Sequence, residues 1–318
     1  MNIAAPHVGN LFDYANTIGI DVEVLRSCLV DPRLDVCLLD NLVSDIEFIN
    51  VFEAIINADK NKLTGLNYGC YLNLKALGFI SQIALNATNI DQAVFILQQY
   101  FINSFPLVSL SIKRGKRDFA LILECSIKES KIKNHLLDSV FCFIYRELKL
   151  MVNADALPKL IMPIKKVIEY EQMLDAKINK GVKHEFVFDS KVLNSEINTQ
   201  QSRYIEILLP KFLKMLDVKG GSDKPFSNKV RHVILNMCAP ELPSFHQVVV
   251  QFPLSDRSFQ RKLSDEGITF RQLSDEIKKD LATYLLKGNK IRTQDIAHIL
   301  GYSESSAFLH AAKKWQLH

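Results

Sequence analysis

The chain has 318 residues, 48% hydrophobic and 23% charged, with a net charge of +4. That is an ordinary globular mixture, long enough for two domains with their own cores. No apolar run is long enough to span a bilayer, and the N-terminus, Met1-Asn-Ile-Ala-Ala-Pro-His7, lacks the basic and apolar regions of a signal peptide. The six cysteines are scattered without a C-x-x-C pair, as reduced core thiols are. The expectation is a cytoplasmic protein with no membrane partner.

In chain order, apolar residues recur at helical spacing from Val8 to Ile18. Asp21 can cap a short helix reaching Leu29. Residues Asp45–Ala58 form an amphipathic helix, expected to turn Ile46, Ile49, Phe52 or Val51, and Ile55 or Ile56 inward. Leu74–Leu85 is mostly apolar and reads as a buried helix. Thr88 or Asn89 can cap a helix from Ile90 to Phe101, with Asp91 favourable in its first turn. After Pro106 the period changes. Leu107–Lys113 alternates, Phe119–Ile127 is rich in β-compatible residues, and Arg114-Gly-Lys116 between them is a hairpin turn. Lys131–Val152 returns to helical spacing, with Asp138, Arg146 and Glu147 expected as surface charges. Leu160–Met162 and Glu185–Phe188 are short strands, and His184 beside Glu185 is a candidate dyad. Gln201–Leu216 is a long helix, with Ile205, Leu208 or Leu209, Phe212 and Met215 on one face and an interruption at Pro210.

Lys219-Gly-Gly-Ser-Asp-Lys-Pro225 breaks both helix and strand patterns and is the one clear linker. It places an α+β domain over 1–218 and a second domain over 226–318. Residues 225–318 hold 13 basic against 9 acidic side chains, whereas the preceding residues balance at 26 each. The positive excess therefore lies wholly in the C-terminal segment, a mild nucleic-acid footprint.

That segment reads as almost purely helical. A helix over Asn228–Met237 precedes one running from Pro243 or Ser244 to about Gln251. In Ser255-Asp-Arg-Ser-Phe-Gln-Arg-Lys-Leu-Ser264, Phe259 and Leu263 share one helical face, while Arg257, Gln260 and Arg261 share the other. Such a front suits a major groove, where Arg reads guanine and Gln reads adenine bidentately. Gly267 ends this helix as a C′ glycine. Phe270, Leu273, Ile277, Leu281 and Leu285 make a long stripe that Gly288-Asn289 stops. Thr293 is expected to cap Gln294–Leu300, Gly301-Tyr-Ser303 to turn, and Ser303 to cap a last helix with Phe308, Ala311 or Ala312, and Trp315 inward. Two helix-turn-helix units are thus expected, about 244–264 and 293–316, joined by a helix of roughly 17 residues spanning about 25 Å. One chain with two such units can place two recognition helices in successive major-groove turns.

The residues that carry a resemblance are Leu254-Ser-Asp-Arg-Ser-Phe-Gln-Arg-Lys-Leu-Ser-Asp-Glu-Gly267, Phe270-Arg-Gln-Leu273, Asp295-Ile-Ala-His-Ile-Leu-Gly-Tyr-Ser-Glu-Ser-Ser-Ala-Phe308 and Lys313-Lys-Trp315. In order, spacing and type they resemble the DNA-binding domain of the AraC/XylS family of bacterial transcription regulators. More loosely, Leu77-Gly-Phe79, the Asn89–Phe101 helix, the Lys113–Ser126 hairpin and Glu185-Phe-Val-Phe-Asp189 resemble the arabinose-binding-like domain of the subgroup that includes ornithine-utilisation regulators. The resemblance implies an N-terminal domain that senses a small-molecule effector, dimerises, or does both, double-stranded promoter DNA and RNA polymerase as partners, activation more often than repression, and no cofactor.

By the same resemblance Arg257, Gln260 and Arg261 face bases or phosphates in the first unit, and Ser305, Ser306 and His310 face the groove in the second. Lys262, Lys313 and Lys314 are expected on phosphates, where contacts position without specifying. The sequence departs from the family at Val249-Val-Gln-Phe-Pro253, where a small residue and open turn are usual. It departs again at His310 in place of a common Arg, and at Ala312 in place of a large aromatic. The chain ends at His318, before the family's usual final segment, as a naturally short or a truncated chain would.

An enzyme would need a motif that is missing: there is no G-x-S-x-G, Gly-rich phosphate loop, H-E-x-x-H or cysteine metal set. The other alternative is an interaction protein whose DNA binding has degenerated. In the N-terminal domain Arg114, Lys116 and Arg117 cluster at the hairpin and could pair an effector carboxylate.

Overall fold

A computed structural model describes residues 1–38, 40–72, 87–163, 167–197, 208, 210–212, 214–216, 225–238, 241–287 and 291–317. Its contacts divide the chain into two units, Met1–Leu72 with Gln82–Thr199, and Asn73–Ser81 with Gln200–His318. The expected Leu74–Leu85 helix, the linker core at 219–224 and the Gly288-Asn289 stop lie outside the described residues. Of the expected 201–216 helix, Leu208, Phe212 and Met215 are described and buried.

Among its described residues the N-terminal unit mixes helices with two sheets. β1 (Asn2–Ala4) and β2 (Leu42–Ser44) form a small antiparallel pair. The larger sheet has the order β3-β4-β7-β5-β6, with β3 Val108–Arg114, β4 Asp118–Cys125, β5 Lys159–Met162, β6 Ile178–Lys180 and β7 His184–Asp189. The expected hairpin is β3 and β4, antiparallel from Val108 opposite Cys125 to Arg114 opposite Phe119. Spacing does not reveal β6, because three residues are too few to establish a period. Alternate residues Phe119, Leu121 and Leu123 of β4 and His184, Phe186 and Phe188 of β7 are buried, as a two-residue strand period demands. Phe119 stacks on Phe188 at 4.9 Å between centroids, and Phe186 stacks on Phe141 of the helix Ser130–Met151 at 4.2 Å.

Asn89 caps the helix Ile90–Ser104 by accepting from the Gln92 amide, and Asp21 caps Val22–Arg26 through Glu23. The amphipathic Asp45–Ala58 helix buries Phe48, Val51, Phe52, Ile55 and Ile56. Ile46 is 66% exposed, a correction to the expected inward face. The capping box between Ser44 and Glu47 starts the helix so that Ile46 lies in its solvent-facing first turn.

Asp138 and Glu147, expected as surface charges, are instead buried within the helix Ser130–Met151. Asp138 accepts a hydrogen bond from Tyr170 Oη at 2.5 Å and lies 2.8 Å from His184 Nε2. His184 therefore pairs across the fold with Asp138 rather than with its neighbour Glu185. Arg146 donates to the Cys70 carbonyl at 2.6 Å. Neither carboxyl oxygen of Glu147 has a hydrogen-bond partner among the described residues, and burial pushes its pKa well above the usual Glu range. The hairpin cation Arg114 meets the chain's own Asp91 at 2.9 Å, both exposed. Among the described residues no helix is long and apolar enough to cross a membrane.

The C-terminal unit is helical in its described residues: Phe226–Met237, Phe245–Val249, Asp256–Asp265, Phe270–Lys287, Thr293–Ile299 and Ser305–Lys314. The long stripe is buried through Leu273, Ile277, Leu281 and Leu285. The helix Phe226–Met237 packs on Phe270–Lys287, and Arg231 reaches Asp280 at 2.8 Å and Glu276 at 3.9 Å across that contact.

Candidate nucleic-acid interface

The helix Asp256–Asp265 is anchored by aromatic packing. Phe259 is fully buried, and its ring meets Phe226 at 5.2 Å, Phe252 at 5.4 Å and Phe245 at 5.7 Å between centroids. Phe245 in turn meets Phe270 at 5.3 Å. Most of these pairs are edge-on, the arrangement that aligns positive ring edges with negative ring faces. Phe259 of this short helix is thus held in a cluster with four phenylalanines, from three other helices and the Val249–Pro253 turn. Helical spacing finds Phe259 and Leu263, but not their partners, which come from other elements.

Ser255 caps this helix, its hydroxyl accepting from the Ser258 amide at 3.3 Å. At the other end Gly267 has φ +74°, its N–H reaches the Ser264 carbonyl, and the Ile268 N–H reaches Leu263. The helix Thr293–Ile299 ends in the same way: Gly301 has φ +74°, its N–H meets His298 O, and the Tyr302 N–H meets Ala297 O. Both are Schellman endings that need a residue tolerant of the left-handed region.

Two expected caps are corrected. The extended residue before Thr293 is Arg292, and that before Ser305 is Glu304; neither makes a side-chain cap bond. Thr293 is thus already helical and Ser303 lies one residue too early. Trp315 is half-buried at the C-cap of the last helix, where Phe308 and Ala312 are buried.

At about 100° per residue, Arg257, Arg261 and Ser264 lie opposite the buried Phe259 and Leu263. Gln260 and Lys262 fall on opposite flanks. Arg257, Gln260, Arg261 and Lys262 are all exposed. Gln260 shares the wall of a cavity of about 430 Å³ with Phe245, Leu263, Ser264, Thr269, Phe270 and Arg271. Its lining combines apolar side chains with an amide, hydroxyls and a guanidinium. Arg271 is beyond the reach of single-helix spacing arguments because it starts the next helix.

Lys262 points the other way, its Nζ 5.7 Å from the Phe226 ring centre. Glu266 beside it accepts from the Phe226 and Ser227 amides. Burial works against the Glu266 charge, but the Ser227 and Phe226 bonds and the Lys262 ammonium hold its carboxyl below the usual Glu range.

In the helix Ser305–Lys314, Ser306, His310, Lys313 and Lys314 are exposed and Ser305 is half-buried. Ser306 Oγ donates to Glu304 Oε2 at 3.1 Å. The turn before this helix is held by Lys278, whose Nζ lies 4.7 Å from the Tyr302 ring centre, and by the Tyr302–Phe308 ring contact at 5.9 Å. Burial lowers the Lys278 pKa. The structure thus brings Arg257 and Arg261 to one exposed face of one helix, with Gln260 exposed on its flank, and Ser306 and His310 to the exposed side of another. Among the described residues no His, Cys, Asp and Glu side chains group as a metal site.

No protein-family model matches the chain. It is 25% identical over 289 residues to the HTH-type transcriptional regulator VqsM of Pseudomonas aeruginosa, covering 83% of this chain and 84% of that protein. It is 33% identical over 103 residues to the ornithine utilization regulator of the same organism, covering 32% of this chain and 29% of that protein. The crystal structure of the transcriptional regulator CdpR from Pseudomonas aeruginosa aligns with 98% of this chain and 96% of its own, at 19% identity and a TM-score of 0.45, too low to establish a common fold. The homologues are HTH-type transcriptional regulators, as the resemblance in the sequence implies, and they support a DNA-binding transcription regulator.

Proposed function

We propose that this chain is a sequence-specific regulator of the AraC/XylS type, in which residues 226–318 read promoter DNA through two helix-turn-helix units. The units are about 244–264 and 293–316, and Phe270–Lys287 joins them. Arg257, Gln260 and Arg261 are the principal base readers. Ser305, Ser306 and His310 face the second groove segment, and Lys262, Lys313 and Lys314 meet phosphates. The observation that carries this reading is the exposed Arg257–Gln260–Arg261 front on a helix whose back is locked by a five-phenylalanine cluster. A rigid helix with a bidentate-capable front is what direct readout needs.

Residues 1–218 form the regulatory domain, joined by the 219–225 linker, and respond to a small-molecule effector while supporting a homodimer. The protein acts in the cytoplasm, with RNA polymerase as its functional partner. Its homologues being transcription regulators supports a role without enzymatic turnover.

Genome-wide footprinting of the full chain, with and without cell metabolites, tests the whole reading. Discrete protected sites whose affinity falls linearly in log–log plots against salt are expected. Uniform, sequence-blind protection overturns sequence-specific regulation. Metabolite-independent footprints overturn effector control alone.

A further inference from the structure

Leu309 is 54% exposed, and among the described residues of the C-terminal unit the other exposed large hydrophobic is Tyr284, at 37%. Leu309 lies one turn beyond Ser305 and one turn before Lys313, with Ser306 and His310 in the adjoining row. Phe308 and Ala312 hold the buried side of the same helix, about 100° and about 60° around the axis from Leu309. The leucine therefore sits on the exposed flank, between the buried seam and the row of Ser306 and His310.

The chemistry around it is uneven. Two serine hydroxyls accept and donate without discriminating among bases, and one Ser306 hydroxyl is already turned to Glu304. His310 offers a single ring edge. None of these makes the paired contact by which Arg reads guanine. A protruding isobutyl group does match one feature of the major groove, the C5-methyl of thymine, which only an apolar contact can read. Burying that contact also removes an exposed leucine from water.

Resting on the proposed function, we propose that Leu309 is a specificity-determining residue that reads the 5-methyl group of a thymine in the half-site of the second recognition helix. The helix Ser305–Lys314 then has its own base preference, carried by shape and apolar contact rather than by hydrogen bonds. The effect of losing one methyl-sized contact is about fourfold in affinity.

The test uses the full chain and an operator from the footprinting experiment. Each thymine is replaced singly by deoxyuridine, which removes the 5-methyl and keeps every hydrogen-bonding group, and affinity is read by fluorescence anisotropy. The wild-type chain is expected to lose about fourfold at one thymine of the second half-site. In Leu309→Ala the same replacement costs nothing, whereas Leu309→Met keeps a partial penalty. Leu309 is exposed, so both variants are expected to melt with the wild type, and a circular dichroism melt checks it. Sequence-specific binding in which no deoxyuridine penalty disappears in Leu309→Ala overturns the assignment and leaves the regulator reading standing. Leu309→Ala that lowers transcription in vitro while every penalty persists also overturns it, in favour of a protein contact. Failure of the wild-type chain to prefer any sequence overturns the regulator reading, and this assignment with it.

Discussion

Gln251 occupies the Val249–Pro253 turn, is 2% exposed, and has neither amide atom hydrogen-bonded among the described residues. Its backbone N–H reaches the Val248 carbonyl at 3.1 Å, whereas both polar atoms of its side chain are buried. A buried polar group stripped of water without a new partner costs about 1–3 kcal/mol. Methionine has nearly the same length and flexibility, and adapts to the same space. Gln251→Met is therefore expected to stabilise the C-terminal unit by about 1–2 kcal/mol, the low half of that range, because the new thioether must repack beside Phe252. The sole tryptophan, Trp315, lies in this unit, so its fluorescence during urea unfolding of the full chain reports the right transition. The midpoint should rise with an unchanged m-value. Gln251→Ala, which removes the polar group and also the packing, should fall below Gln251→Met. A midpoint for Gln251→Met at or below wild type would show that the amide is satisfied in solution and refute the desolvation argument.

Arg261→Ala should cost about 1–3 kcal/mol of binding and relax the preference at one base pair, measured across an operator library. His310→Ala should cost less and reduce discrimination little; equal losses would contradict the unequal division of labour between the two helices. Gly301→Ala should destabilise by about 1–2 kcal/mol in urea titrations, because alanine must hold a φ of +74°. No atom crowds the site, so the cost is conformational alone, and a neutral outcome would mean that the turn relaxes. Glu147 has a folded-state pKa raised by burial, so the unfolded chain releases its proton first as pH increases. Its contribution is undiminished below the ordinary Glu pKa and declines as pH rises above it. The Tm gained by Glu147→Gln should therefore grow from pH 5 to pH 8, and a pH-independent difference would remove the ionisation argument.

Much of the fold follows from period and punctuation. The β3–β4 hairpin, the caps Asp21, Asn89 and Ser255, the Gly267 and Gly301 endings and the 273–285 stripe each depend on residues close in sequence, so local patterning is enough to find them. The candidate readers are legible for the same reason: Arg257, Gln260 and Arg261 share one helix, and their exposure follows from Phe259 and Leu263 being buried behind them. Tertiary structure alone decides which charges go inside. Asp138 and Glu147 have the spacing of surface residues, yet Asp138 meets Tyr170 and His184, both distant in sequence. It also decides that Lys262 turns to Phe226, that Gln260 shares a cavity with Arg271, and that four phenylalanines from other elements cluster with Phe259. Periodicity states which face of a helix is apolar; only packing between elements states what that face, or the opposite one, will touch.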